Sequence, residues 1–178
     1  EIMGDRGTIM AFDMHRHKLD LLTTNCRRLG ISIVESREGN LFDSIRGLDQ
    51  ADAVLLDAPC SGLGVLRSRA DLRWRKKEAD IAVMSELQGR MLEQVARTVR
   101  SGGRLLYSTC SLEPEENQEV VEGFIDRHRD FEFLDFGEII ESNPWLTGDA
   151  PFVDKGRLTI FPPCHQADGM FISLMRRV

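Results

Sequence analysis

The run Ala53-Val54-Leu55-Leu56 is apolar throughout, stops on the charged Asp57 and meets Pro59 two residues later. It is too short for a stable helix and has no polar face. It therefore reads as a strand covered on both sides, the kind found in a sheet layered between helices. The same grammar recurs along the chain. Thr8-Ile9-Met10-Ala11-Phe12 is another apolar strand, ending at Asp13. Leu19, Leu22, Cys26 and Leu29 mark one face of a helix that Gly30 stops, and residues 31–34 supply the next strand. Ile81, Met84, Leu87, Met91, Leu92, Val95 and Val99 trace a long amphipathic helix. Gly102-Gly103 turns the chain into a strand over 104–108, and Pro114 among acidic residues opens a further helix. Residues 131–136 and 170–175 close the pattern as strands. This alternation predicts an α/β fold, a mostly parallel sheet with helices on both faces.

At 178 residues and 42% hydrophobic content, the chain is long enough to bury a core as one domain. No apolar run nears the ~20 residues of a membrane span, and no basic-then-apolar leader opens the sequence. The four cysteines, Cys26, Cys60, Cys110 and Cys164, contain no C-x-x-C pair. Reduced thiols in a cytoplasm are expected, not a disulfide framework or a zinc site. A net charge of −6 argues against indiscriminate nucleic-acid binding. Yet Arg67, Arg69, Arg73, Arg75, Lys76 and Lys77 crowd one stretch around Trp74, opposed only by Asp71. Charge alone leaves two readings open: a solvated basic face, or a phosphate-tracking patch with one stacking aromatic.

Ligands of such sheets bind beyond the carboxyl ends of the strands. Those ends carry Asp13, then Asp57-Ala58-Pro59-Cys60, then Ser108-Thr109-Cys110. Asp13 is suited to accept hydrogen bonds from the ribose of a nucleoside cofactor, although strand-end aspartates also cap helices. Cys26 falls on an apolar helix face and reads as core. Cys164, His15, His17, His128 and His165 are given no role. Cys60 and Cys110 stand just past strand ends in polar loops, a setting that favours the thiolate a nucleophile needs. A thiol, a carboxylate and a nucleoside cofactor together suit methylation of a pyrimidine at carbon 5. Thiolate addition at carbon 6 makes carbon 5 nucleophilic, and a carboxylate at the ring nitrogen and amine stabilises the developing charge.

At this point the chain resembles the RNA cytosine-5 methyltransferases of the Sun or Nop2 type, bacterial ribosomal members included. The resemblance rests on Ala11-Phe12-Asp13, on Asp57-Ala58-Pro59-Cys60-Ser61-Gly62-Leu63-Gly64-Val65, on Asp71-Leu72-Arg73-Trp74, and on Ser108-Thr109-Cys110-Ser111 followed by Pro114-Glu115-Glu116-Asn117. It runs from Gly7 to about Glu122 and resumes at the carboxyl end, where Ala167-Asp168-Gly169-Met170-Phe171 fits the closing strand. It implies a Rossmann-like S-adenosylmethionine-dependent catalytic domain over residues 1–178. In that family Cys110 attacks the base, Cys60 serves product release and Asp57 contacts the cytosine. Asp13, Asn40, Asp57 and Pro59 bind S-adenosyl-L-methionine. Arg67, Arg69, Arg73, Arg75 and Lys76 then face RNA, rRNA ahead of tRNA, in a cytoplasmic monomer without metal or membrane attachment.

Three departures stand out. Gly39-Asn40 replaces a Gly-Asp pair, and Ala70 replaces a proline. The glycine-rich cofactor loop does not appear, so a domain lacking its first strand is expected, with two strand edges left open. Two rival classes remain. A DNA cytosine-5 methyltransferase would attack with Cys60, and a non-catalytic RNA-binding module would use neither thiol. A dehydrogenase ranks last, since no G-x-G-x-x-G follows a strand.

Overall fold

The computed structural model describes residues 3–48, 50–136 and 153–178. They form two units, Glu1–Leu48 and Asp49–Val178.

In the first unit β1 (Ile9–Asp13) pairs in parallel with β2 (Val34–Glu38), Asp13 lying opposite Glu38. Helix α1 (Arg16–Leu29) makes the crossover between them, and a single turn, α2 (Leu41–Ser44), follows β2. Helix α1 ends where expected: Gly30 takes a left-handed φ of 69°, and the Ile31 N–H reaches back to the Cys26 carbonyl at 2.9 Å. That closure consumes the start of the strand expected over 31–34, so β2 begins only at Val34. Leu19 is buried and Cys26 half-buried, but Leu29, at the frayed last turn, is 49% exposed.

The second unit contains β3 (Ala51–Asp57), α3 (Leu72–Arg75), α4 (Glu78–Ala96), β4 (Val99–Thr109), α5 (Gln118–Arg127), β5 (Phe131–Phe133), β6 (Val153–Asp154), β7 (Arg157–Ile160) and β8 (Met170–Arg177). The strand order is β3-β4-β8-β7-β6, with β5 also pairing β8. In this sheet β3 and β4 run parallel, while β8 lies antiparallel to β4, β5 and β7. The sheet is therefore mixed, not mostly parallel as the alternation predicted. An apolar run such as residues 170–175 fixes a strand but carries no mark of its direction.

Two further boundaries moved. Val99 opens β4 instead of closing α4. Gly102-Gly103 lies inside β4, at a register shift where Ala51 faces Val99 but Ala53 faces Arg104. β3 has β4 as its ladder partner, and Leu55 is 67% exposed, so the expected two-sided cover is not seen there.

The core lies where α4 and α5 cover β4 and β8. Leu92, Val99, Leu105, Tyr107, Val121, Phe124, Phe171 and Met175 are fully buried. Phe124 packs edge-on to Phe131 at 5.2 Å between ring centres and stacks on His128 at 4.4 Å. Phe136, Leu158 and Leu174 form a separate apolar cluster against Leu106 and Ile172. Removing the Phe124 ring leaves a cavity that such a packed core cannot close. Phe124→Ala is expected to lower the unfolding free energy by ~3–5 kcal/mol. A urea denaturation series checks this, and an unchanged midpoint would place Phe124 outside the core.

Candidate active site

Parallel pairing of β3 and β4 in the register Asp57 opposite Ser108 sets the site. Both strands stop at the same edge, so the loops that leave them start side by side. The Ala58 N–H extends the ladder onto the Ser108 carbonyl at 2.9 Å. Beyond it the loops converge, and Cys60 Sγ lies 3.1 Å from Cys110 Sγ. Ser61 Oγ and Ser111 Oγ meet at 3.2 Å one residue further along each loop.

Close approach depends on Gly64. Its N–H donates to the Cys110 carbonyl at 2.9 Å, and its own carbonyl accepts from the Gly169 N–H at 2.7 Å. A β-carbon there would stand 2.6 Å from the Gly169 oxygen and 2.8 Å from the Cys110 oxygen, and both are backbone atoms with no freedom to swing away.

The two thiols differ electrically. The hydrogen bond shared with Cys60 brings the Cys110 thiol down to about 7, against desolvation and the nearby Asp57 and Glu116 carboxylates. The same hydrogen bond, together with burial and the charge on Cys110, pushes the Cys60 thiol well above the ordinary range. Of the two, Cys110 is the thiol more readily ionised. Asp57 stands exposed at the strand end, its Oδ1 accepting from Ser108 Oγ at 2.9 Å.

Polar groups buried under the loops hold them. Glu116 is fully buried, and its carboxylate accepts from the Ser61 N–H at 2.7 Å, from Ser61 Oγ–H and from Gln88 Nε2 at 3.0 Å. Gln88 Nε2 also donates to the Pro59 carbonyl at 2.8 Å. Thr109 Oγ1 donates to Asn117 Oδ1 at 2.6 Å, and Asn117 Nδ2 donates to the Ser111 carbonyl at 3.0 Å. Glu116 and Asn117 belong to the Pro114-Glu115-Glu116-Asn117 stretch, to which sequence reasoning gave no task. Gln88 was missed altogether. Its signal was an amide four residues from both Met84 and Leu92, on the apolar stripe of α4.

The first unit places the remaining residues. Asp13 Oδ1 accepts from the His15 N–H at 2.8 Å, and Oδ2 pairs with Lys18 at 3.1 Å. Desolvation opposes its ionisation, but these two donors outweigh it and hold the carboxyl below its ordinary value. Asn40 uses Oδ1 to cap α2 through the Phe42 N–H at 3.0 Å. Each carboxylate oxygen has a second lone pair, so Asp13 can still accept from a ribose, and the Asn40 amide N–H groups can still donate. The residues therefore fit a nucleoside cofactor.

The basic stretch is spread around α3. Trp74 is 85% exposed; Arg69 and Arg73 are exposed, while Arg67 binds the Gln166 carbonyl and Arg75 pairs with Asp71. Arg75 and Lys76 line an open groove with Leu72, Val83 and Met84. Cys164 is exposed, His15 stacks on His17, and His128 is taken up by Phe124. Among the described residues no group of three or more histidines, cysteines or acids is placed to hold a metal, and no helix is long and apolar enough to cross a membrane.

A mixed α/β sheet with these strand-end loops defines a Rossmann-like, S-adenosylmethionine-dependent methyltransferase fold. Within it, the chain belongs to the 16S rRNA methyltransferase RsmB/F family, whose sequence profile matches residues 1–176. It is 37% identical over 183 residues to the probable ribosomal RNA small subunit methyltransferase B of Bacillus subtilis (strain 168), covering 99% of this chain but 39% of that protein. PH0851, a solved structure, superposes with a TM-score of 0.86 at 35% identity, over 99% of this chain and 38% of that one. NSun6 from Pyrococcus horikoshii, solved with SFG, gives a TM-score of 0.82 at 27% identity, over 99% of this chain and 43% of the other.

If the Cys60 S–H is what stabilises the Cys110 thiolate, removing it must make Cys110 harder to ionise. Cys60→Ala is expected to move Cys110 ionisation upward from about 7 toward the ordinary thiol range. Thiolate absorbance followed against pH checks this; a midpoint that stays near neutrality would show that Cys60 is not the cause.

Proposed function

We propose that this protein transfers a methyl group from S-adenosylmethionine to carbon 5 of a cytosine in RNA, rRNA ahead of tRNA, through a covalent adduct on Cys110. The observation that carries this reading is the approach of the two strand-end thiols to 3.1 Å, with Cys110 the more readily ionised. One thiol would serve an alkylation; two of unequal acidity suit a reaction that must both add and release. When bound, S-adenosylmethionine supplies an electrophilic methyl group on a sulfonium. The resemblance assigns its binding to Asp13, Asn40, Asp57 and Pro59. SFG, present in the NSun6 structure, is an S-adenosylmethionine analogue, which supports that cofactor.

The chemistry follows from the residues. Cys110 Sγ gives its electron pair to carbon 6 of the cytosine, and the ring π pair moves to carbon 5. Asp57 steadies the charge that appears at the ring nitrogen and exocyclic amine. Carbon 5 would then use that pair to accept the methyl group that a bound S-adenosylmethionine supplies, the sulfonium sulfur keeping the electrons of its broken S–CH3 bond as a neutral thioether. A base then removes the carbon 5 proton, the carbon 5–carbon 6 double bond re-forms and Cys110 leaves as thiolate. Cys60, beside Cys110 and protonated, serves this release. Arg67, Arg69, Arg73, Arg75 and Lys76, around the exposed Trp74, offer phosphates and an unstacked base a surface. A cytoplasmic monomer acting on RNA completes the reading.

A DNA-type enzyme would need Cys60 as the thiolate, and of the two thiols Cys60 is the harder to ionise. A fragment of small-subunit rRNA carrying 5-fluorocytidine tests the assignment. Fluorine cannot leave as a proton does, so the adduct persists. Cys110→Ala is expected to form no adduct at all. Cys60→Ala on ordinary rRNA should accumulate a covalent complex, seen as a slow band on denaturing gels. Trapping through Cys60 in the Cys110→Ala variant would overturn the assignment.

A further inference from the structure

Cys60 is fixed from both sides by groups that never reach the cleft. The peptide before it is held through the Pro59 carbonyl, which accepts from Gln88 Nε2 at 2.8 Å. The peptide after it is held through the Ser61 N–H, which donates to the Glu116 carboxylate at 2.7 Å. Gln88 and Glu116 are themselves bonded at 3.0 Å, so the two clamps form one unit. Both side chains are fully buried.

The arrangement has a cost. With two acceptors in front of it, the Gln88 amide must present its nitrogen to both, and its Oε1 is left buried without a partner among the described residues. An orphaned buried oxygen is destabilising, because it gives up its hydration for nothing. A methionine at the same place on the α4 stripe would pack without that penalty. A buried carboxylate likewise needs every donor it finds. Packing alone does not account for Gln88 and Glu116.

We propose that the Gln88–Glu116 pair is a positioning device that holds the Cys60 backbone so that its thiol points at Cys110. Neither residue touches substrate; both act through Cys60. That Cys60 then serves product release rests on the function proposed above, but its placement does not.

The test requires neither RNA nor cofactor. Alkylation of Cys110 by iodoacetamide is followed by peptide mass spectrometry from pH 6 to 9 in the whole chain. Gln88→Met removes the donor to Pro59, and Glu116→Asp draws the carboxylate back from Ser61 while keeping its charge. In whichever of these folds, the alkylation midpoint of Cys110 is expected to rise by about one pH unit, with the rate at pH 7 about fivefold lower. The limiting rate at high pH should stay unchanged, because Cys110 itself has not moved. Glu116→Gln keeps one oxygen for the Ser61 N–H and removes a charge that opposes Cys110 ionisation, so its midpoint should not rise above that of the unaltered protein. General loosening of the core would instead speed alkylation at every pH, and that result would overturn the proposal. So would an unmoved midpoint in a folded Gln88→Met or Glu116→Asp variant. If the midpoint shifts but no RNA adduct is ever trapped, the positioning stands and the cytosine chemistry falls.

Discussion

One backbone register governs this site. Because β3 and β4 run parallel with Asp57 opposite Ser108, they end together, and whatever follows each strand is delivered to the same edge. Parallel strands need a long crossover, here supplied by α4, and so the two thiols are separated by fifty positions in the chain yet lie 3.1 Å apart. A one-residue slip would turn Leu105 and Tyr107, both fully buried, toward the opposite face of the sheet. The core that fixes the register is therefore also what fixes the chemistry.

Sulfur meets sulfur because buried polar groups beneath the loops grip their backbone. Glu116, Gln88, Asn117 and Thr109 lie buried between α4, β4 and the turn before α5, and their hydrogen bonds run to loop backbone and to each other. Such a network is a commitment. Fully paired, it specifies one loop conformation; broken, it leaves buried charge and dipoles unmatched. Tyr107 adds to it by donating to the Glu116 carbonyl at 2.6 Å, tying the strand to the turn that carries the carboxylate.

Much of this was legible in the sequence, for reasons that differ by element. Apolar runs ending in Asp13, Asp57 and Ser108 announced strands, because composition and length decide that much. Gly30 announced a helix end, because few other residues take its left-handed backbone. Direction was not legible: residues 170–175 would look the same parallel or antiparallel, and β8 proved antiparallel. Lateral cover was not legible either. The run from Ala53 to Leu56 is apolar whether or not something lies over it, and Leu55 is exposed. The two strand-end cysteines could be read as a pair, since both follow strands and the resemblance named them. Their separation and unequal protonation depend on the converging loops. Gln88 stayed hidden because one amide in an apolar stripe carries no mark of the carbonyl it will meet.

The account stands or falls on which thiol is ionised. Limited labelling of the native chain at pH 7 with substoichiometric iodoacetamide, followed by quantitation of the Cys60 and Cys110 peptides, decides it directly. The label is expected on Cys110, well ahead of Cys60. Preferential labelling of Cys60, or equal labelling of the two, would contradict the assignment of Cys110 as the nucleophile.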